Sequence, residues 1–251
     1  MPLDVRPHIR DGDTYALKQA LLVYERAGRF GSSDAVVTLH APRTAADGAI
    51  EIGPGQCMTA EQIAKIATEL VSGAGGGCTY LPDTVLASGA SSTVWWRPAG
   101  THPMIFGHGA AKAMPGLSGQ PAPHPALVFA VSGNRLSVFA LAENARPKPD
   151  TELQRAPYPN IYASGNVCLG SAEVPQRHGV DVMADWESGF LNSAFTHTNP
   201  SDGAVVRHKG GMMALWRKLI REARDSFPAD KLVPAKLTLG DLIAGRTGDR
   251  R

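Results

Sequence analysis

Two apolar, β-prone runs joined by a short turn constrain the fold of this chain more than any other feature. The runs are 126–131 (Ala-Leu-Val-Phe-Ala-Val) and 135–141 (Arg-Leu-Ser-Val-Phe-Ala-Leu), with Ser132, Gly133 and Asn134 between them. Two strand-forming runs around a short loop that contains glycine are typical of a β-hairpin. A hairpin requires antiparallel pairing, so a fold built only from parallel strands is excluded.

Short strand candidates precede the hairpin. Strands are predicted over 79–87, 93–97 and 103–106, because β-prone runs there are bounded by polar residues or glycine. Residues 107–125 are rich in Gly, Pro and Ala and predict an exposed loop. Residues 143–167 contain four prolines and predict an irregular segment, since proline does not fit a helix interior or a central strand.

Two amphipathic helices are predicted after this irregular segment. Apolar residues recur at helical spacing over 181–196 and again over 212–225. The basic side chains of the second helix fall largely outside its apolar face, which predicts a solvated surface rather than a nucleic-acid patch. This order of elements favours an α+β fold with an antiparallel sheet packed on helices.

The first part of the chain predicts a small α+β unit of its own. Strands are expected at the end of 14–24 and over 35–40. Thr59 and Gln62 have the spacing of a capping box, which predicts the start of a helix. Apolar residues follow on one face of that helix from Ile63 onwards.

A run of glycines separates this unit from the rest. Residues 73–77 predict a flexible joint between an N-terminal segment, 1–72, and a core with C-terminal helices, 78–251. The run follows a helix and lacks the Gly-Lys-Ser/Thr ending of a phosphate-binding loop, so it predicts no nucleotide site. No cofactor is expected.

Charge and hydropathy exclude several classes of function. The chain has 25 basic and 23 acidic residues, which is too balanced for a nucleic-acid or membrane surface, because both need concentrated positive charge. No run approaches the roughly 18–20 apolar residues of a membrane-spanning helix. Charged residues interrupt the N-terminal sequence where a signal peptide would be apolar. A cytoplasmic location is therefore expected.

The three cysteines are too few and too widely spaced for a disulfide framework. There is no CxxC pair and no compact His/Cys cluster, so no structural metal site is expected. Cys57 and Cys78 are predicted to be small buried hydrophobic residues. Cys168 differs from them because of the sequence around it.

Residues 156–170 (Ala-Pro-Tyr-Pro-Asn-Ile-Tyr-Ala-Ser-Gly-Asn-Val-Cys-Leu-Gly) carry the most informative pattern. They resemble the active-site segment of ubiquitin-conjugating enzymes. In that family a His-Pro-Asn triplet and an aliphatic residue lead through a glycine turn to an aliphatic-Cys-aliphatic triplet. Seven positions agree in type and spacing, and Asn160 precedes Cys168 by eight residues. Tyr158 stands where the family usually has histidine.

The resemblance implies a ubiquitin-conjugating-enzyme-like core: an antiparallel meander, a loop with the active-site cysteine, and flanking helices. In this chain that core would carry an N-terminal α+β extension. Cys168 would hold a ubiquitin-like protein as a thioester, and the Asn160 amide would stabilise the oxyanion during transfer to an amine. Tyr158, Pro159 and Gly165 would support the loop.

More narrowly, the chain resembles protein B of the bacterial PRTRC systems. The further similarities are Arg146-Pro-Lys-Pro-Asp-Thr151 and Phe195-Thr-His-Thr-Asn199. This resemblance implies three partners: a ThiF-like activating enzyme, a ubiquitin-like protein and a JAB-type peptidase.

Two other functions stay open at this point. The chain could be a non-catalytic scaffold with a conjugating-enzyme-like fold, although scaffolds of this family often lack the cysteine. It could also be a thiol hydrolase that pairs Cys168 with His197 or His208, which requires an imidazole within about 3 Å of the sulfur. Asn160 could instead merely brace a turn, since asparagine is common there.

Overall fold

The computed structural model describes most of the chain, namely residues 17–25, 35–46, 50–73, 80–170, 172–197 and 204–246. Its contacts divide the chain into two compact units, an N-terminal unit (1–79) and a C-terminal unit (80–251). Residues 74–77 of the predicted joint lie outside the described residues, as does Cys78.

The N-terminal unit contains a three-stranded antiparallel sheet and one helix. The elements are β1 (Ala20–Glu25), β2 (Ala35–Thr44), β3 (Ile50–Cys57) and α1 (Ala60–Gly73). The strands lie in the order β1-β2-β3, and the first two confirm the sequence prediction. The capping box is also confirmed, because Thr59 N donates to Gln62 Oε1 (2.9 Å) and Gln62 N to Thr59 Oγ1 (3.3 Å).

Strand β3 was not predicted, because Gly53-Pro54-Gly55 hides its β pattern. The glycine is needed here: a Cβ on Gly55 would lie 2.4 Å from the ring of His40, which is buried against this strand. The prediction that Cys57 is buried is wrong. Cys57 is an exposed free thiol, since it ends an outer strand of a sheet too small to enclose it.

The C-terminal unit contains nine strands and four α-helices among its described residues. The strands are β4 (Val85–Ser88), β5 (Ser92–Arg97), β6 (Gly100–Phe106), β7 (Gln120–His124), β8 (Leu127–Ser132), β9 (Arg135–Ala140), β10 (Glu152–Arg155), β11 (Ala194–Phe195) and β12 (Pro234–Thr238). The helices are α2 (His108–Ala111), α3 (Met183–Leu191), α4 (Gly211–Arg221) and α5 (Leu239–Ile243). None of the described helices has the length and apolar character needed to cross a membrane.

Six strands form one antiparallel sheet in the order β12-β10-β9-β8-β5-β4. At its centre, β8 and β9 pair from Leu127↔Ala140 to Ser132↔Arg135, which confirms the predicted hairpin. Gly133 takes a φ of 58° in the turn, a conformation that favours glycine. A second sheet has the order β11-β6-β7, with β11 parallel to β6 and β7 antiparallel to it.

Both faces of the large sheet are buried. The main core includes Trp95, Phe129, Val131, Leu136, Val138, Trp186, Phe190, Leu215 and Trp216. The second core contains Val94, Ala126, Val128, Phe139, Leu141, Leu153, Leu237 and Leu239. Residues 127–131 of β8 alternate between the two cores, so this part of the strand is continuously apolar. Helices α3 and α4 supply the main core with three large aromatic rings, Trp186, Phe190 and Trp216.

Residues 107–125 do not form the exposed loop that the composition predicted. They include α2 and β7, and Met114, Ala122 and His124 are buried. The prolines of β7 are tolerated because β7 is an edge strand of its sheet, where a missing N–H leaves no partner unpaired. Likewise, 143–167 is not wholly irregular, since β10 joins the large sheet between β9 and β12.

The two predicted C-terminal helices are confirmed but are shorter than expected. The first ends at Leu191, and Phe195 belongs to β11 instead. The second ends at Arg221. Ala223 then has a φ of 45°, a left-handed conformation that does not fit a right-handed helix. Strand β12 and helix α5 lie beyond the predicted elements.

Candidate active site

Residues 156–170, here called the cysteine segment, fold back on themselves through backbone hydrogen bonds. Tyr162 N donates to Asn166 O (2.9 Å), and Gly165 N donates to Tyr162 O (2.8 Å). Ile161 and Val167 pair as an isolated antiparallel bridge. The residues between Asn160 and Cys168 therefore form a tight hairpin-like loop rather than a mobile connection.

This loop is also fixed to the β9 strand. Val138 N donates to Gly165 O and Val167 N donates to Leu136 O, each at 2.9 Å. A side-chain bond adds to them, from Ser137 Oγ to Asn166 Oδ1 (2.9 Å). The large sheet thus sets the position of the segment that carries the cysteine.

Gly165 is required by this arrangement. Its φ is 86°, in the left-handed region that disfavours a side chain. A Cβ at this position would lie 2.3 Å from Cζ of Phe139, whose ring belongs to the second core. The glycine of the motif lets the loop lie directly on that ring.

Cys168 is a half-buried free thiol. Its backbone N donates to Asn160 O (2.7 Å), so the cysteine and the asparagine of the motif are held side by side. Val167 and Leu169 pack against the main core. The chain is therefore anchored on both sides of the cysteine, while the cysteine itself is only partly buried.

Asn160 joins the cysteine segment to residues 194–197. It is buried and has a φ of 63°, a conformation that asparagine tolerates better than most residues. Its Oδ1 accepts hydrogen bonds from Thr196 N (3.1 Å), Thr196 Oγ1 (3.2 Å) and His197 N (3.2 Å). Its Nδ2 donates to Ala194 O (3.3 Å). Because backbone N–H groups only donate and carbonyls only accept, these partners fix which end of the amide is oxygen.

Tyr158 bonds to a histidine from a distant strand. Its hydroxyl lies 2.8 Å from His124 Nδ1, and His124 Nε2 lies 3.0 Å from His102 O. The carbonyl can only accept, so Nε2 carries the hydrogen and Nδ1 accepts from the tyrosine. Burial lowers the pKa of His124 to about 4, which keeps the ring neutral, and burial also raises the pKa of the Tyr158 hydroxyl.

Aromatic rings hold Tyr158 from several sides. Phe190 of α3, Phe195 of β11 and Trp216 of α4 have ring centroids 5.3–5.6 Å from that of Tyr158. Trp216 Nε1 also donates to Pro157 O, and Pro159 is buried. The C-terminal helices thus support the residues that precede Asn160.

His124 is the residue of this site that the sequence prediction missed. It lies 34 residues before Tyr158, in a stretch whose composition indicated a loop. A lone histidine among glycines and prolines carries no local signal of a buried role. Strand β7, which pairs with β6, places His124 against Tyr158 of the cysteine segment.

The ring Nδ1 atoms of the two histidines considered as catalytic bases bond within their own segments. His197 is exposed, and its Nδ1 lies 3.0 Å from Thr196 Oγ1. His208 is half-buried, and its Nδ1 accepts from Gly210 N (3.2 Å). The backbone of His197 is close to the motif, since Asn160 N donates to His197 O (2.9 Å). Within the described ranges, no three His, Cys, Asp or Glu side chains cluster as metal ligands would.

Comparison with protein families decides the classification. The model of Prokaryotic E2 family D matches residues 63–235, which is more than half of the chain. The chain belongs to this family. No curated protein and no solved structure gives a significant match. The match to E2 family D includes the whole cysteine segment, together with His124 and Trp216.

Membership of E2 family D confirms the resemblance to conjugating enzymes at the level of a bacterial E2-like family. The α+β architecture, with its largely antiparallel sheets and few helices, is compatible with an E2-like fold. The family suggests a role like that of ubiquitin-conjugating enzymes, and with it an interaction with ubiquitin-like proteins or their activating enzymes.

Proposed function

We propose that this E2-family protein carries a ubiquitin-like protein as a thioester on Cys168 and passes it to an amine. The main support is the half-buried Cys168, bonded to Asn160 in a rigid loop within the region that the family model matches. A partly exposed cysteine in fixed surroundings suits a group that must receive an acyl chain from a large donor.

Loading is a thioester exchange. A ThiF-like activating enzyme would use ATP to activate the C-terminal carboxylate of the ubiquitin-like protein and hold it on its own cysteine. The Cys168 thiolate attacks that thioester carbonyl, a new C–S bond forms, and the bond to the activating enzyme's sulfur breaks. The departing thiolate balances the one consumed, so this chain needs no cofactor for the exchange.

Transfer forms an amide from the thioester. The amine nitrogen attacks the carbonyl, the C–N bond forms, the C–S bond breaks, and the proton lost by the amine balances the thiolate that leaves. Negative charge develops on the carbonyl oxygen, where a fixed donor is most effective. An amide nitrogen has two hydrogens, and Asn160 Nδ2 uses one on Ala194 O. In the proposal the other serves the oxyanion.

The same proposal extends to the partners. Similarity to protein B of the PRTRC systems at 146–151 and 195–199 supports a ThiF-like activating enzyme and a ubiquitin-like protein encoded beside this chain. A JAB-type peptidase of the same system would remove the modifier. Residues 198–199 of the second similarity lie outside the described residues.

The carrier is favoured over a hydrolase by the hydrogen bonds of the histidines. A hydrolase needs an imidazole to take the thiol proton. Among the described residues, no histidine nitrogen is hydrogen-bonded to Cys168 Sγ, and the Nδ1 atoms of His197 and His208 bond to Thr196 and to Gly210. A non-catalytic scaffold remains the alternative that the following experiment distinguishes.

The test is incubation with the activating enzyme, ATP and the ubiquitin-like protein, followed by non-reducing electrophoresis. The wild type should form an adduct that thiols remove, Cys168→Ala should form none, and Cys168→Ser should form a thiol-resistant ester. Cys57→Ala is the matched control, because Cys57 is also a free and more exposed cysteine, and it should load normally. An adduct on Cys168→Ala would refute the carrier, and no adduct on the wild type would favour the scaffold.

A second arm of the same experiment follows discharge of the loaded protein to an amine. Asn160→Ala should still load but discharge more slowly. Loss of one oxyanion donor lowers rates by about a hundredfold to a thousandfold in hydrolytic enzymes. For discharge by Asn160→Ala we expect a slowing of at most about a hundredfold. Normal discharge would reduce Asn160 to a brace between the cysteine segment and residues 194–197, and would leave the role of Cys168 intact.

A further inference from the structure

We infer that Thr196 is a positioning residue for transfer, because its hydroxyl orients and polarises the Asn160 amide. The inference rests on the proposed function, since it concerns the step in which the Cys168 thioester is attacked by an amine. Thr196 does not act on the substrate. It acts through Asn160.

Three donors converge on the Asn160 side-chain oxygen. Two are backbone N–H groups, those of Thr196 and His197, and the third is the Thr196 hydroxyl at 3.2 Å. Asn160 is buried, so water competes little for these bonds. The backbone donors are present whatever the side chains are, whereas the hydroxyl depends on the residue at 196.

The hydroxyl lies within a chain of polar groups. Thr196 Oγ1 is also 3.0 Å from His197 Nδ1, but it has a single hydrogen to donate. When His197 Nδ1 carries a hydrogen, that hydrogen goes to Thr196, and the threonine hydrogen goes to Asn160. The chain then continues from Asn160 Nδ2 to Ala194 O. Each bond in such a chain strengthens the next.

Packing holds the threonine in this orientation. A Cβ on Gly107 would lie 2.6 Å from Thr196 Cγ2, and a Cβ on Gly109 would lie 2.5 Å from Thr196 O. Gly107 N also donates to Phe195 O (2.8 Å). Both glycines therefore leave room for Thr196, and its methyl group is seated against Gly107 while its hydroxyl meets Asn160.

The consequence is specific to one step. Three bonds at Oδ1 draw electron density from the amide nitrogen, which makes the hydrogens on Nδ2 better donors. A better donor matters where negative charge develops, as it does on the thioester oxygen during attack by an amine. Loading depends on the accessibility of Cys168 and should not need the hydroxyl.

The experiment compares variants at 196 in both steps. Thr196→Val keeps the branched shape and replaces the hydroxyl with a methyl group, Thr196→Ala removes both groups, and Thr196→Ser keeps the hydroxyl. Each is loaded with the activating enzyme, ATP and the ubiquitin-like protein, then discharged to excess lysine in a single turnover. Thr101→Val, at an exposed position of β6, is the matched control.

Thr196→Val and Thr196→Ala should load like the wild type and discharge about three to ten times more slowly, the rate equivalent of one net hydrogen bond. Thr196→Ser and Thr101→Val should discharge like the wild type. Wild-type discharge by both hydroxyl-free variants would overturn the inference and leave the carrier function standing. Equal slowing in Thr196→Ser would also overturn it, because packing would then be the cause. A wild type that forms no adduct would instead overturn the proposed function.

Discussion

Replacing Gly165 with alanine tests whether Phe139 determines the path of the cysteine segment. Gly165 has a φ of 86°, and a Cβ there would lie 2.3 Å from the end of the Phe139 ring. Gly133 in the hairpin turn also has a positive φ, 58°, but a Cβ there would meet nothing within 4 Å. The two glycines therefore separate backbone strain from collision with a buried ring.

The expected losses of stability differ accordingly. A left-handed conformation costs an alanine about 1–2 kcal/mol, and Gly133→Ala should destabilise the C-terminal unit by about that amount. The Phe139 ring is only 2% exposed, so it can yield to a new methyl group only by displacing the second core. Overpacking adds about 1–3 kcal/mol, which brings the expected loss for Gly165→Ala to about 2–5 kcal/mol.

Urea unfolding followed by tryptophan fluorescence measures these losses. All four tryptophans lie in the C-terminal unit, so the signal reports on that unit. Combining Gly165→Ala with Phe139→Leu should cost less than the sum of the single changes, because the smaller side chain makes room for the methyl group. Equal losses for Gly165→Ala and Gly133→Ala, or strict additivity in the double variant, would refute the role given to Phe139.

Two further predictions concern His124 and Tyr158, which are buried and hydrogen-bonded to each other. The stability of the C-terminal unit should fall as the pH drops from about 6.5 towards 4. Burial lowers the pKa of His124 from 6.5 to about 4. Between these two pH values the unfolded chain binds a proton that the folded chain does not. The loss of stability approaches about 3 kcal/mol. His124→Gln should flatten the dependence of the urea midpoint on pH. The same slope in the variant and the wild type would show that His124 is not the group that titrates. Tyr158→Phe should destabilise the unit by about 1–3 kcal/mol at neutral pH, since His124 Nδ1 loses its buried donor. A change near zero in the same urea assay would show that this bond contributes nothing.

Features that depend on neighbouring residues could be read from the sequence. The β8–β9 hairpin follows from two β-prone runs around Gly133, and the start of α1 follows from Thr59 and Gln62, whose side chains and backbone N–H groups bond across three residues. The spacing of Asn160 and Cys168 pointed to the conjugating enzymes. These features can be recognised in the sequence because each one involves residues only a few positions apart. The residue types and their spacing are then enough to predict the interaction.

Only the tertiary structure decided how the motif is supported. Strand β10 joins the large sheet through β9 and β12, although the prolines around it indicated an irregular segment. His124 meets Tyr158 across 34 residues, and Thr196 meets Asn160 across 36. Such partners are chosen by the packing of β7, β11 and α4 around the cysteine segment. A contact between distant residues leaves no periodicity or spacing in the sequence, because its geometry exists only once the intervening chain has folded.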